Sequence, residues 1–369
     1  MTADATADAS RVELPGRLGD PERTLGADRR ADPRLVAALA PFGLDGEQPA
    51  PTVSPSSDRA DLLAFGQGAE DGFGAVFAAL FAGLPPVEGV TRETVTINGA
   101  DGNDILLFVH RPSGVDGELP AVVHLHGGGG VILRAADECY VRWRDELAAS
   151  GLVVVGVEFR NAAGALGSHP YPAGLTDSAT GARWVTAHRL ELGVGPVVVS
   201  GESGGGNLSL AVALKAKREG WLGEIDGIYA MAPMISSPWD KAAELPSRQE
   251  NDGYFISCAL LTLMGALYDP DGAHAGDATC WPARASDAEL TGLPPHVISV
   301  NELDPLRDEG LAYQRRLVAN GVSAVGRTVN GTVHGGDVFF RAAMPDVYAA
   351  TIRDIHSFAA QFHRGRRTP

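Results

Sequence analysis

Three cysteines in 369 residues, Cys139, Cys258 and Cys280, are too few and too irregularly spaced for a zinc ribbon, a redox pair or a disulfide framework. They read as reduced, mostly buried thiols of a cytoplasmic protein, with a Cys258–Cys280 bridge as the one pairing left open. No apolar run approaches the roughly 18 residues of a membrane span. The opening MTADATADAS lacks a basic n-region and an apolar h-region, so it is not expected to be a signal peptide. Basic residues are the scarcer charge: 30 Lys and Arg against 46 Asp and Glu leave a net −16. Such a surface repels a phosphate backbone, which argues against nucleic acid as a partner. Aromatics are sparse at 7%, yet hydrophobic residues reach 44%, enough for a substantial core and too many for a disordered chain. The 46 glycines follow no Gly-X-Y period, so they serve tight turns and close backbone approaches. A soluble intracellular protein with no membrane partner is expected.

What is present is ordered along the chain. The first 60 residues are rich in Pro, Gly, Asp and Arg, with one short helical pattern at Pro33–Leu39. From Asp61 to Leu84 the apolar residues recur at helical spacing, including Phe73, Phe77 and Phe81. That stripe reads either as core or as a cap laid over the domain. After Pro86, β-branched runs appear at Thr94–Ile97, Ile105–Val109, Ala121–Leu125, Leu152–Val157, Val197–Ser200, Gly227–Met231, His296–Val300 and Val322–Val329. From the third run they alternate with helical stretches at Ala135–Ala149, Asp177–Arg189, Asn207–Arg218, Leu306–Asn320 and Pro345–Phe362. This is the pattern of a mostly parallel sheet with helices on both faces. Between Ser236 and Ala285 the alternation breaks, and an insertion that long in an α/β series is commonly a lid. The basic tail His363–Arg367 reads as a solvated terminus.

Chemistry enters with Gly201-Glu202-Ser203-Gly204-Gly205. A G-x-S-x-G string alone is weak, but this one follows an apolar strand and opens a helix, the setting of a nucleophile elbow. A serine in a glycine-rich phosphate loop is the competing reading, and no Walker lysine follows. A serine hydroxyl needs a base and an orienting acid, which in this fold follow in the order Ser, acid, His. Asp304 comes just after the run ending at Val300, in NELDPL, with Glu302 and Asp308 as rivals. Asp308 is expected in the first turn of the next helix, where an acid favours the dipole without any catalytic role. His334 lies in a glycine-flanked loop after the last strand. His126-Gly127-Gly128-Gly129-Gly130 leaves the third run, and its flexible backbone can turn N–H groups inward as an oxyanion hole. Gly128, Gly129 and Gly204 are the expected donors. A metal site on His124 and His126, which share a strand face, is the weaker alternative, since no C-x-x-C or H-E-x-x-H adds ligands.

Together HGGG, GESGGGN, DPLRDEG and a His-Gly loop resemble the hormone-sensitive-lipase family of α/β-hydrolase esterases, from about Thr94 to Phe362. The phrases HLHGGGG, NELDPLRDEG and VHGGDV are similar to its bacterial brefeldin A esterase subgroup. Three positions depart from the usual pattern: Glu202 stands where most members have Asp, Gly204 where many have Ala, and Gly335-Gly336-Asp337 where Gly-Phe is common. The resemblance implies an α/β-hydrolase fold, with a mostly parallel eight-stranded sheet flanked by helices and a helical cap. It implies residues 1–90 as an N-terminal cap segment and 236–285 as a cap insertion, around a catalytic domain of 91–235 and 286–369.

The expected activity is that of a serine carboxylesterase on short-chain esters or lactones, macrolide lactones included, with Ser203, Asp304 and His334 as its triad. No cofactor or metal is called for. Phe73, Phe77, Tyr254 and Phe255 are candidate substrate contacts, each equally readable as plain packing. The family includes monomers and homodimers. An amidase or acyl-peptide hydrolase on the same triad, or a non-catalytic binder on a hydrolase scaffold, are the competing functions.

Overall fold

The computed structural model describes residues 14–115, 117–238 and 245–365, with side chains to 362. The MTADATADAS reading lies outside the described residues, as do Arg366 and Arg367 of the basic tail, while the backbone of His363–Gly365 closes the last helix. Eight strands form one sheet: β1 Val90–Asn98, β2 Asp104–Pro112, β3 Leu119–Leu125, β4 Val153–Glu158, β5 Val194–Glu202, β6 Gly227–Met231, β7 His296–Asn301 and β8 Ala324–Val329. Their spatial order is β1-β2-β4-β3-β5-β6-β7-β8. Pairings β1–β2 and β2–β4 are antiparallel, and the rest are parallel.

The buried strands are those whose sequence is continuously apolar. All nine residues of β5 are buried, whereas β8, at the edge, alternates between partly buried and exposed. Successive side chains take opposite faces and feed two cores. Val122, Val154 and Val198 join one core, and Val123, Val155 and Val199 the other.

Eight helices of seven residues or more surround the sheet among the described residues: α1 Pro33–Leu39, α2 Arg59–Phe81, α3 Glu138–Ala149, α4 Ala173–Ala187, α5 Gly204–Glu219, α6 Cys258–Tyr268, α7 Arg307–Ala319 and α8 Pro345–Gly365. Residues of α3 and α8 fill the first core, and residues of α4, α5 and α7 fill the second. The first core also takes in Phe77 and Phe81 of α2 and Leu263 and Leu267 of α6, two helices that pack against each other.

Three helix starts differ from the sequence expectation by three residues or more. Helix α3 begins at Glu138 rather than Ala135, because Asp137 turns back to accept the N–H of Arg134 at 2.9 Å. Helix α4 begins four residues early, directly after Pro172. Helix α5 begins at Gly204, not Asn207, so three glycines of poor helix propensity form its first turn. The three cysteines are free, and no Cys258–Cys280 bridge forms.

Strand register places the functional loops. His124 and Leu125 of β3 lie opposite Ser200 and Gly201 of β5, so HGGGG and GESGG leave neighbouring strands at one level. Asn301 of β7 lies opposite Val329 of β8, which sets the loops of Asp304 and His334 side by side. All four loops emerge at the carboxyl ends of parallel strands, where open α/β sheets bind ligands.

Candidate active site

Strand β5 ends at Glu202 and α5 starts at Gly204, leaving Ser203 alone at the turn. Its φ of +58° and ψ of −117° lie where a residue with a side chain is strained by about 1–3 kcal/mol. The backbone around it holds that conformation. The Ser203 N–H donates to the carbonyl of Met231 at 2.9 Å, and its own carbonyl accepts from Asn207 at 2.9 Å and Met234 at 3.2 Å. The turn closes against β3 so tightly that a Cβ on Gly205 would stand 1.9 Å from the carbonyl oxygen of Leu125. Only glycine fits there.

The second glycine cluster lies against the first. Gly128, Gly129 and Gly130 all have positive φ, from +70° to +93°. The carbonyl of Gly128 accepts from Val131 at 3.0 Å and Ile132 at 3.1 Å, folding the loop back on itself. A Cβ on Gly204 would come within 2.5 Å of the backbone of Gly129. The structure therefore brings Gly128, Gly129, Gly204 and Ser203 together.

His334 Nδ1 lies 2.8 Å from Oδ2 of Asp304, and both side chains are buried. The other Asp304 oxygen accepts the N–H of Leu306 at 2.9 Å. The rival acids are engaged elsewhere. Glu302 accepts the N–H of Gly331 at 2.8 Å, and Asp308, in the first turn of α7, accepts that of Ser247 at 2.8 Å. Burial works to lower the pKa of His334, but the charge and hydrogen bond of Asp304, with Glu202 and Asp337 behind, raise it above its ordinary value. The histidine loop is tied to β7 through Asn301, which accepts the N–H of Gly335 at 3.1 Å and donates to Asp337 at 3.0 Å.

Ser203, His334 and Gly127–Gly129 face one narrow cavity of about 60 Å³. Phe73, Phe77 and Phe255 line it; Tyr254 does not. Phe255 has a φ of +69°, and its neighbour Tyr254 instead donates its hydroxyl to Asp28 at 3.1 Å. Leu133, Met234, Leu260, Met264 and Phe339 are among the other residues of the apolar wall. Sequence reading missed these five, because an apolar residue in a loop or short helix carries no mark separating lining from packing. Leu133 is fastened by α2, where Glu70 accepts its N–H at 2.8 Å and that of Ala165 at 2.7 Å.

His124 of β3 and His126, just past its end, are both buried and have different partners. His124 Nε2 lies 3.3 Å from Glu202 Oε2, whereas His126 bonds its ring nitrogen to the Gly127 carbonyl at 2.8 Å and stacks on Phe159. Burial holds the pKa of His124 well below its ordinary value and that of His126 at about 3. Among the described residues, no three His, Cys, Asp or Glu side chains are grouped to hold a metal ion.

The family model for the alpha/beta hydrolase fold matches residues 122–337. Carboxylesterase NlhH of Mycobacterium tuberculosis is 35% identical over 286 residues, which cover 76% of this chain and 85% of that protein. Esterase LipI of the same organism is 30% identical, over 67% of this chain and 74% of its own length. Among solved structures, brefeldin A esterase, described as a bacterial homologue of human hormone-sensitive lipase, matches with a TM-score of 0.92. The two are 49% identical over 96% of this chain and 99% of that one. Esterase Est22 matches with a TM-score of 0.82 at 35% identity, over 91% of this chain and 99% of its own. The chain belongs to the α/β-hydrolase fold family, in its hormone-sensitive-lipase branch, and is a carboxylic-ester hydrolase.

Proposed function

We propose that this esterase hydrolyses short-chain carboxylic esters or lactones, macrolide lactones among them, through an acyl-enzyme on Ser203. The observation that carries the reading is the buried His334–Asp304 pair at 2.8 Å, facing the same cavity as Ser203 and the glycine loop. With Nδ1–H donated to Asp304, Nε2 is left to take the serine proton. Ser203 Oγ attacks the ester carbonyl, His334 takes its proton and returns it to the leaving alcohol, and the alcohol departs. Water, deprotonated by the same histidine, then cleaves the acyl-enzyme. The N–H groups of Gly128, Gly129 and Gly204 hold the oxyanion in both halves. Loss of one such donor typically costs about 2.7–4 kcal/mol in the transition state.

Phe73, Phe77 and Phe255 make the apolar contacts to substrate, while Tyr254 supports the wall from behind. Residues 1–90 and 236–285 act as the cap over a catalytic domain of 91–235 and 286–369, a division supported by the packing of α2 on α6. No described helix is long and apolar enough to cross a membrane. We place the enzyme in the cytoplasm, as a monomer or homodimer with no nucleic-acid partner.

Ser203→Ala assayed on p-nitrophenyl butyrate tests the assignment. Loss of several orders of magnitude in kcat is expected, with one organophosphate adduct on wild type at Ser203. Activity within about tenfold of wild type would overturn it.

A further inference from the structure

Glu202 immediately precedes the proposed nucleophile, and its side chain is 1% exposed. A carboxyl so buried needs partners, and two of them lie on the neighbouring strand and its loop. Oε1 accepts the N–H of Gly127 at 2.5 Å, and Oε2 lies 3.3 Å from Nε2 of His124. These two partners belong to β3 and the loop that leaves it, the loop that carries Gly128 and Gly129. The backbone of Glu202 is meanwhile fixed in β5, paired in register with Met231 of β6. One side chain thus spans from the strand that presents Ser203 to the residue that opens the glycine loop.

The approach is close as well as direct. A Cβ on Gly127 would stand 3.0 Å from the same carboxyl oxygen. The residues that follow have positive φ and fold back on themselves, so the Gly127 amide is where the loop meets the nucleophile strand through a side chain. Burial pushes the carboxyl up to about 8, and the Gly127 N–H works against that shift. The role does not depend on ionisation. A carboxylate accepts from Gly127, and a protonated acid still offers its carbonyl oxygen there while donating to His124.

We infer that Glu202 is a positioning residue for ester hydrolysis: its carboxyl oxygen fixes the Gly127 amide and so holds Gly128 and Gly129 at the oxyanion's distance from Ser203. The inference rests on the catalytic assignment proposed above. Donors held in place before the reaction cost no reorganisation when charge develops. A displacement of about 1 Å in such groups can cost about 100-fold in rate. Because the donors act on the transition state, the loss belongs in kcat rather than KM.

The test compares E202M, which keeps side-chain length but offers no oxygen, with E202Q, which keeps an acceptor. Both are assayed on p-nitrophenyl butyrate and titrated with a trifluoromethyl ketone, whose serine adduct carries the oxyanion. E202M is expected to lose about 30- to 100-fold in kcat with KM within about threefold, and to bind the ketone more weakly by a similar factor. E202Q is expected to stay within about fivefold of wild type. Wild-type kcat in E202M, equal losses in both variants, or a loss confined to KM with unchanged ketone affinity would each overturn the inference. Where E202M does not fold, E202A replaces it, since it removes the carboxyl that reaches Gly127. A kcat loss at constant KM supports the role, and wild-type kcat refutes it. Ser203→Ala is run in parallel. An active Ser203→Ala overturns the catalytic assignment itself, a result distinct from wild-type turnover in E202M beside an inactive Ser203→Ala.

Discussion

Phe77 of α2 stacks on Phe339, which follows His334 by five residues, with ring centroids 4.2 Å apart and planes at 18°. One turn earlier, Phe73 stacks on Phe77 at 5.9 Å and meets Phe255 edge-on at 5.9 Å. Four rings from three separated segments therefore line the cavity over Ser203. The Phe73–Phe77–Phe81 stripe, readable beforehand as core or as cap, serves both the core and the wall of the cavity. Phe77 and Phe81 are buried in the core, and Phe73, half-buried, faces the cavity.

Phe77→Ala opens that wall. Losing a buried phenyl ring costs about 3–5 kcal/mol of stability, seen as a lower thermal midpoint. The vacated space accommodates extra methylenes, so kcat/KM for p-nitrophenyl octanoate over the acetate is expected to rise about tenfold. An unchanged ratio would place Phe77 outside the path of the acyl chain.

The pH dependence follows from His334, which must be neutral to accept a proton. Its pKa is raised above 6.5, since the pull of Asp304 outweighs burial. The acid limb of kcat/KM should therefore lie above pH 6.5, with activity falling as pH drops through it. Asp304→Asn removes the charge that raises the pKa, so the limb should move to lower pH. The same change leaves the wrong tautomer and should lower kcat by about 10⁴-fold. A limb that stays in place would separate Asp304 from the titration.

Glu250 ties the N-terminal segment to the loop of Asp304. It pairs with Arg30, and its two oxygens accept from Arg307 at 2.8 and 2.9 Å. Its neighbour Asn251 donates to the carbonyls of Glu302 and Asp304, each at 3.2 Å. Glu250→Gln leaves two guanidinium groups facing a neutral amide in a largely buried site. A cost of about 3 kcal/mol is expected, at the lower end for a broken buried pair because both arginines remain partly exposed. Thermal unfolding measures it, and a drop in kcat at constant KM would show that the loop of Asp304 has loosened too.

The strands were legible because parallel strands buried on both faces must be written in Val and Ile, and little else in this chain looks like VVVGV or PVVVSG. Ser203 and Asp304 stood out because each follows such a strand within a few residues, and His334 because it lies in a glycine-flanked loop after the last strand. The first turn of α5 was not legible. Three consecutive glycines argue against a helix locally, and only the approach of Leu125 and Gly129 explains why nothing larger fits there. Tyr254 and Phe255 were equally plausible as substrate contacts, and the positive φ at Phe255 accompanies their parting.

The sequence by itself determined the α/β class, the order of its elements and the short list of chemically capable residues, because periodicity and glycine placement are local properties. Tertiary structure alone decided which of three acids meets His334, which aromatic residues line the cavity, and that Glu202 reaches Gly127. Those depend on strand register and on side chains meeting across 30 to 75 residues of chain, distances over which no local pattern carries information.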